Sequence, residues 1–159
     1  AFTKDGSVTA GNASQISDGG AAVVVTSAAK AAELGATPLA SIVDYNTAGV
    51  APRELFFAPA VGIKALLDRN GLSVDDIDLF EINEAFAAQV LADIKHLGVS
   101  EEKLNICGGG IALGHPIGAS GARVLVTLLH QLKRTGGKRG IVSLCLGGGN
   151  AVSMLVEMA

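Results

Sequence analysis

Tryptophan is absent from this sequence, and aromatic residues make up only 4% of it. Charge is also sparse, at 17% of residues with a formal net charge of −3, and so the chain lacks the basic character of nucleic-acid-binding proteins. No apolar run approaches the length of a membrane-spanning helix. Because 49% of the residues are nonetheless hydrophobic, we expect a soluble protein with a tightly packed aliphatic core and no nucleic-acid or membrane partner.

Cysteine is scarce as well, since Cys107 and Cys145 are the only two in the sequence. The N-terminus shows neither the charge pattern nor the apolar core of a signal peptide. Reduced thiols and a cytoplasmic location are therefore the expected state. The sequence opens at Ala1 without an initiator methionine, and from this we expect upstream processing or a piece of a longer protein.

Glycine, by contrast, is abundant, and its 21 residues cluster at 108–121 and 147–149. Clustering of this kind indicates a backbone that lies close to a ligand. The first cluster contains GGGIALGHPIGAS, in which a glycine and a proline flank His115 and restrict its backbone. Ser120 is predicted to cap the helix that follows, and the positive end of that helix would favour a neutral imidazole at His115.

Apolar runs that alternate with helical patterns predict an α/β fold. A strand at residues 21–26 and a helix at 28–34 precede a domain boundary near residue 38. Beyond it we predict a mixed five-stranded sheet covered by helices on both faces, and its last two strands form a hairpin. The predicted strands of this sheet lie at residues 39–43, 79–82, 104–107, 140–144 and 151–156.

Asn83 and Cys145 each come just after one of these strands, and the strand at 104–107 leads through the glycine-rich turn to His115. Ligands of such sheets bind beyond the carboxyl ends of the strands, and so the three side chains should converge there. An imidazole, a thiol and an amide suit carbonyl chemistry with proton transfer at carbon. A nest of N–H groups from residues 147–149 would lower the pKa of the Cys145 thiol.

Simpler interpretations stand beside this one. Asn83 would serve equally well as a helix N-cap, and Cys145 as a small buried apolar residue. A zinc site formed by Cys107, Cys145 and His115 is disfavoured because the sequence has neither CxxC nor HxxxH spacing. Neither of the common phosphate-binding glycine patterns occurs in the right context.

Four motifs resemble the signatures of one family, the thiolases. They are VTAGNASQISDGGAAVVV (8–25), NEAFAAQ (83–89), GGGIALGHPIGASGAR (108–123) and CLGGGN (145–150). The resemblance covers essentially the whole chain, in order, and corresponds to the C-terminal portion of a thiolase. It implies a C-terminal thiolase domain at residues 39–159, preceded at 1–38 by the end of the loop domain and the last strand and helix of the N-terminal domain.

The resemblance also implies a role for each site residue. His115 would activate a nucleophilic cysteine and, with a water held by Asn83, form one oxyanion hole. Cys145 would be the acid and base at the α-carbon of the substrate, and the Gly147 N–H would belong to a second oxyanion hole. The CoA and acyl groups would contact Ala10, Ser14, Leu55, Ala85 and Phe86.

By the same resemblance the reaction is thiolysis of a 3-ketoacyl-CoA or its reverse, the Claisen condensation of acyl-CoAs. CoA thioesters are the substrates, with no metal and no further cofactor. Neither Cys107 nor Cys145 stands in the motif of the nucleophilic cysteine, and so a complementary N-terminal half must supply it; the expected assembly is an oligomer of dimers. The alternatives are a non-catalytic CoA-binding or assembly subunit and a related condensing enzyme such as a ketoacyl synthase.

Overall fold

A mixed β-sheet is the centre of the fold in the computed structural model, which describes residues 3–159. Its strands run in the order β1–β4–β3–β2, with β2 parallel to β3 and the other neighbours antiparallel. The last two strands form the predicted hairpin. Their bounds are β1 (Ala40–Gly49), β2 (Leu79–Ile82), β3 (Arg139–Leu146) and β4 (Asn150–Met158). The first two residues of the chain, where the predicted N-terminal region 1–38 begins, lie outside the described residues.

Helices cover both faces of the sheet, as the sequence predicts. Successive strand residues point to opposite faces, so that Phe80 packs among the residues of α2 and α3, whereas Leu79 packs against α5. The helices are α1 (Ala28–Glu33), α2 (Ala58–Asn70), α3 (Ala87–Leu97), α4 (Gly110–Leu113) and α5 (Ser120–Thr135), and short 3₁₀ helices lie at Pro52–Phe57, Val74–Asp76 and Glu101–Lys103. Glycines with φ of 64°, 74° and 75° end α2, α3 and α5 (Gly71, Gly98 and Gly136).

The predicted fifth strand, at residues 104–107, is wrong, because an asparagine side chain takes its place. Leu104 makes one bridge to Phe80, and the Asn105 N–H donates to the Phe80 carbonyl at 2.9 Å. Asn105 then turns to a φ of 44°, and its amide bonds both backbone groups of Ile82, at 2.9 Å to the N–H and 2.8 Å to the carbonyl. The hydrogen-bonding groups on the outer edge of β2 are therefore paired without a further strand, and the described sheet has four strands.

The predicted strand at residues 21–26 is wrong as well. This segment is extended but belongs to no strand, and Val24 and Val25 are 97% and 67% exposed. A β-branched run forms a strand when a neighbouring strand satisfies its backbone. Within residues 3–159 no strand pairs with this run. The helix after it is present as α1, with the Ser27 hydroxyl accepting from the Lys30 N–H at its start.

Candidate active site

His115 lies in the loop between α4 and α5, which glycine and proline hold in place. Gly114 has a φ of 96°, a conformation that side chains disfavour, and a Cβ there would collide with Ser17. The His115 N–H donates to the Gln15 carbonyl at 3.3 Å. The glycine-rich loop thus carries the imidazole, and the backbone of His115 is bonded to the N-terminal segment.

Both ring nitrogens of His115 are engaged. Nδ1 lies 2.6 Å from the Ser120 hydroxyl oxygen, and Nε2 lies 3.2 Å from Nδ2 of Asn83. The amide nitrogen of Asn83 only donates, so Nε2 accepts from it, and Nδ1 donates to the Ser120 hydroxyl, whose oxygen lies 3.0 Å from the Pro116 carbonyl oxygen. Nδ1 consequently carries the ring proton, and Nε2 keeps the lone pair that a general base needs.

Asn83 follows the end of β2 and is 1% exposed. Its backbone N–H donates to the Ser143 carbonyl on β3 at 2.9 Å. Its side chain bonds His115 on one side, and on the other it accepts from Nη2 of Arg123 at 3.3 Å. The N-cap interpretation of Asn83 is wrong, because α3 begins only at Ala87.

Cys145 lies near the end of β3, two residues beyond the Ser143 that bonds Asn83. The structure therefore joins Asn83 and His115 directly and brings Cys145 to the same end of the parallel pair β2–β3. Gly147 is exposed in the turn that follows.

The charge state of Cys145 differs from the sequence expectation. Burial raises the pKa of its thiol, and the carboxylate of Asp93 raises it further. The predicted lowering of this pKa by residues 147–149 is therefore wrong. The thiol is held in its neutral form.

His115 is held neutral too. Burial lowers the pKa of its imidazole, and the positive charge of Arg123 lowers it further. The direction agrees with the prediction, and burial and the guanidinium of Arg123 account for it.

Four of the five predicted substrate-contact residues lie on segments that touch one another. The Ser14 N–H and hydroxyl both bond the Ala85 carbonyl, each at 3.0 Å. Phe86 bridges to Ala13, and its ring contacts that of Phe56 at a tilt of 59°, with ring centroids 5.2 Å apart. Leu55 directly precedes Phe56 in a 3₁₀ helix. Ala10, the fifth, is exposed in the N-terminal loop.

Sequence reasoning missed the polar residues that support the site. Ser120 is not a cap, since its hydroxyl bonds His115 and the Pro116 carbonyl instead of a helix N–H. Glu84 accepts from Ile111 N–H and from the Asn105 amide, both at 3.1 Å, and so fixes the glycine-rich loop beside β2. Ser120 and Glu84 could have been singled out because they lie inside the motifs at 108–123 and 83–89, although no rule of residue spacing predicts their contacts.

Within residues 3–159, no group of three or more histidine, cysteine or acidic side chains could hold a metal ion. None of the helices described there is both long and apolar enough to cross a bilayer.

Two family models match the sequence. One, described as the thiolase C-terminal domain, matches residues 36–158, and the other, the thiolase N-terminal domain, matches residues 1–29. The acetyl-CoA acetyltransferase of Cupriavidus necator is 56% identical over 157 residues, which cover 99% of this chain and 40% of the relative. The cytosolic acetyl-CoA acetyltransferase of Mus musculus is 53% identical over 152 residues, covering 96% and 38%.

Solved structures give the same result. The acetyl-CoA acetyltransferase of Bacillus anthracis superimposes with a TM-score of 0.97 at 53% identity, over all of this chain and 40% of that one. Human mitochondrial 3-ketoacyl-CoA thiolase in complex with CoA does so with a TM-score of 0.93 at 40% identity, again over 100% and 40%. The chain thus spans 40% of the length of each of these solved structures.

Proposed function

This chain belongs to the thiolase family, and we propose that it is the C-terminal part of an enzyme that moves acyl groups between CoA thioesters. The reaction is thiolysis of a 3-ketoacyl-CoA or its reverse, the Claisen condensation of two acyl-CoAs. The observation that carries the proposal is the contact of Asn83 with Nε2 of His115 at 3.2 Å, at the strand end that also bears Cys145. The names of the relatives support the same reaction class.

Each site residue has a role in the proposed reaction. His115 takes the proton from a nucleophilic cysteine with its Nε2 lone pair, which exchanges the Asn83 amide for the thiol, and later stabilises the thioester oxygen together with a water held by Asn83. In condensation, Cys145 takes a proton from the α-carbon of an acyl-CoA, and the resulting carbanion displaces the enzyme's cysteine sulfur from the acyl group. In thiolysis, Cys145 returns that proton to carbon. The Gly147 N–H stabilises the enolate oxygen.

Substrate and partners complete the proposal. The CoA and acyl groups lie against the segments that carry Ser14, Ala85, Phe86 and Leu55, with Ala10 at the outer end. A complementary N-terminal thiolase half supplies the nucleophilic cysteine, within an oligomer of dimers in the cytoplasm, and the reaction uses no cofactor beyond the CoA thioester. In this chain, residues 39–159 form the C-terminal domain and 1–38 complete the preceding domains.

A fusion protein tests the proposal. The N-terminal portion of the Cupriavidus necator relative, joined to this chain, gives a full-length chimera that should cleave acetoacetyl-CoA in the presence of CoA. His115→Ala and Cys145→Ala should each lower kcat by about 10²–10⁴-fold, the usual contribution of an acid–base residue. Matched controls are His130→Ala and Cys107→Ala, since both residues are exposed.

Two outcomes contradict the proposal. One is full activity after either site substitution. The other is an inactive chimera that is folded and whose N-terminal cysteine still reacts with a thiol reagent; retained CoA binding in that case would favour the non-catalytic CoA-binding subunit.

A further inference from the structure

Arg123 is a cation that touches the candidate site without facing the substrate segments. It lies one turn into α5, next to the buried Val124, and its side chain is only 18% exposed. Nη2 donates to Oδ1 of Asn83 at 3.3 Å. Nη1 has no hydrogen-bond partner within residues 3–159 and faces Oε2 of Glu81 at 3.9 Å, a carboxylate that is itself 3% exposed. Nε has no hydrogen-bond partner there either, so the guanidinium lies between a buried acid and the Asn83 amide, and the amide oxygen is its one hydrogen-bond acceptor among the described residues.

The Asn83 amide can point in two directions. Its oxygen and nitrogen are similar in size, and only hydrogen bonding decides which faces His115. A guanidinium donates and never accepts, so an amide NH₂ turned towards Arg123 would oppose one donor to another. The neighbour of Asn83 on the α5 side thus permits only the orientation in which the amide oxygen faces it.

We propose that Arg123, supported by Glu81, is a positioning residue that turns the Nδ2 group of Asn83 towards His115 and thereby selects the Nδ1–H tautomer of the imidazole. The inference rests on the proposed function for its catalytic meaning, but the tautomer is a property of the folded site alone.

The tautomer follows because the hydrogen bonds form one directed chain. With Nδ2 facing Nε2, the imidazole accepts at Nε2 and donates from Nδ1 to Ser120, which donates to the Pro116 carbonyl. If the amide were reversed, its oxygen would face Nε2 and favour a proton there. Ser120 would then donate to Nδ1, and Nε2 would have no lone pair for a cysteine proton. Arg123 distinguishes these two arrangements although it does not touch the imidazole.

The chimera described above allows a direct test. Labelling with ¹⁵N-histidine reports which ring nitrogen of His115 is protonated, and the signal is assigned by its loss in His115→Gln. In the parent we expect protonated Nδ1. Arg123→Met removes the donor and should give a mixture or the Nε2–H form, with kcat at least about 10-fold lower and KM for the acyl-CoA within about 2-fold.

Three further variants make the result specific. Arg123→Lys keeps a group that only donates, and should preserve the Nδ1–H form and most of kcat. Arg123→Gln can donate or accept, and should lose the selection even if Arg123→Met does not fold. Arg134 lies near the far end of the same helix and contacts Gln131 and Cys107. Arg134→Met should change neither the tautomer of His115 nor kcat.

Protonated Nδ1 with unchanged kcat in both Arg123→Met and Arg123→Gln would overturn the inference. Loss of selection in Arg123→Lys as severe as in Arg123→Met would do the same. An inactive parent with the expected tautomer pattern would instead refute the proposed function and leave this inference standing.

Discussion

Truncation of Ser120 tests whether the hydrogen bond behind the imidazole matters to its chemistry. Ser120 is fully buried, and its hydroxyl accepts from His115 at 2.6 Å and donates to the Pro116 carbonyl at 3.0 Å. Ser120→Ala leaves Nδ1–H of His115 unpaired, at a cost of about 1–3 kcal/mol in unfolding free energy, whereas the Pro116 carbonyl still accepts from the Ala119 and Ser120 N–H groups. Nδ1–H thus loses its hydrogen-bond acceptor.

The effect on rate follows from the same bond. If about 1–2 kcal/mol of it is lost where the imidazole gains charge in the transition state, kcat falls by about 5–30-fold. Because Ser120 contacts the ring and not the substrate segments, KM for acetoacetyl-CoA should stay within about 2-fold of the parent. Initial rates of thiolysis by the chimera, measured over a range of substrate concentrations, separate the two constants.

Ser153→Ala is the matched control. Ser153 is 3% exposed and bonds the Ser143 hydroxyl at 2.8 Å, but it faces α2, since a Cβ on Gly62 would meet its oxygen. It should lower the thermal midpoint of the chimera without lowering kcat. An equal loss of kcat in the two variants, or a Ser120→Ala effect confined to KM, would refute the reasoning.

Two further predictions concern buried polar groups. Burial raises the pKa of Asp93 to about 7. Between pH 4 and 7 the folded protein therefore holds a proton that the unfolded chain has released. The stability that this group contributes is complete below about pH 4 and is lost at about 1.4 kcal/mol per pH unit as the pH rises towards 7. Asp93→Asn can still bond Gln89 and the Ala60 N–H without titrating, and its thermal midpoint between pH 4 and 8 should fall less steeply than in the parent; parallel curves would contradict this. Asn105→Ala leaves both backbone groups of Ile82 unpaired and should cost about 2–4 kcal/mol, seen as a lower thermal midpoint. Asn105→Gly relieves the φ of 44° but restores neither bond, and full recovery in that variant would show that backbone strain, not the lost bonds, is responsible.

Periodicity and helix-ending glycines carried most of the fold prediction. Both depend on neighbours a few residues away, and so α2, α3, α5 and the final hairpin are readable from the sequence. The two wrong strands depended on partners. At the edge of β2, the side chain of Asn105, rather than a strand at 104–107, bonds the backbone of Ile82. A pattern of apolar residues does not indicate these two side-chain hydrogen bonds.

For the site, topology made the main prediction possible. Parallel strands bring their carboxyl ends together, and on this basis Asn83 after β2 and Cys145 after β3 were expected at one edge. His115 was expected there after a strand at residues 104–107 that the structure lacks, and the glycine-rich loop places it beside Asn83 instead. The residues that support His115 could not be predicted in this way, because a serine at position 120 can either cap a helix or accept a hydrogen bond from an imidazole. Which of the two roles Ser120 has depends on whether α5 begins at Ser120 or after it, and residues 116–119 determine that start.

The opposite pKa shifts of His115 and Cys145 bear on how the proposed reaction begins. Burial penalises charge on both groups; the positive Arg123 further disfavours the imidazolium, and the negative Asp93 further disfavours the thiolate. The resting site therefore holds a neutral imidazole and a neutral thiol. A neutral thiol is the form that returns a proton to the α-carbon in thiolysis, whereas condensation must first make the thiolate that this environment opposes. In the proposed reaction, the Gly147 N–H would stabilise the negative charge that the substrate oxygen gains when the Cys145 thiolate takes the proton from carbon, and so offset part of the cost of that step.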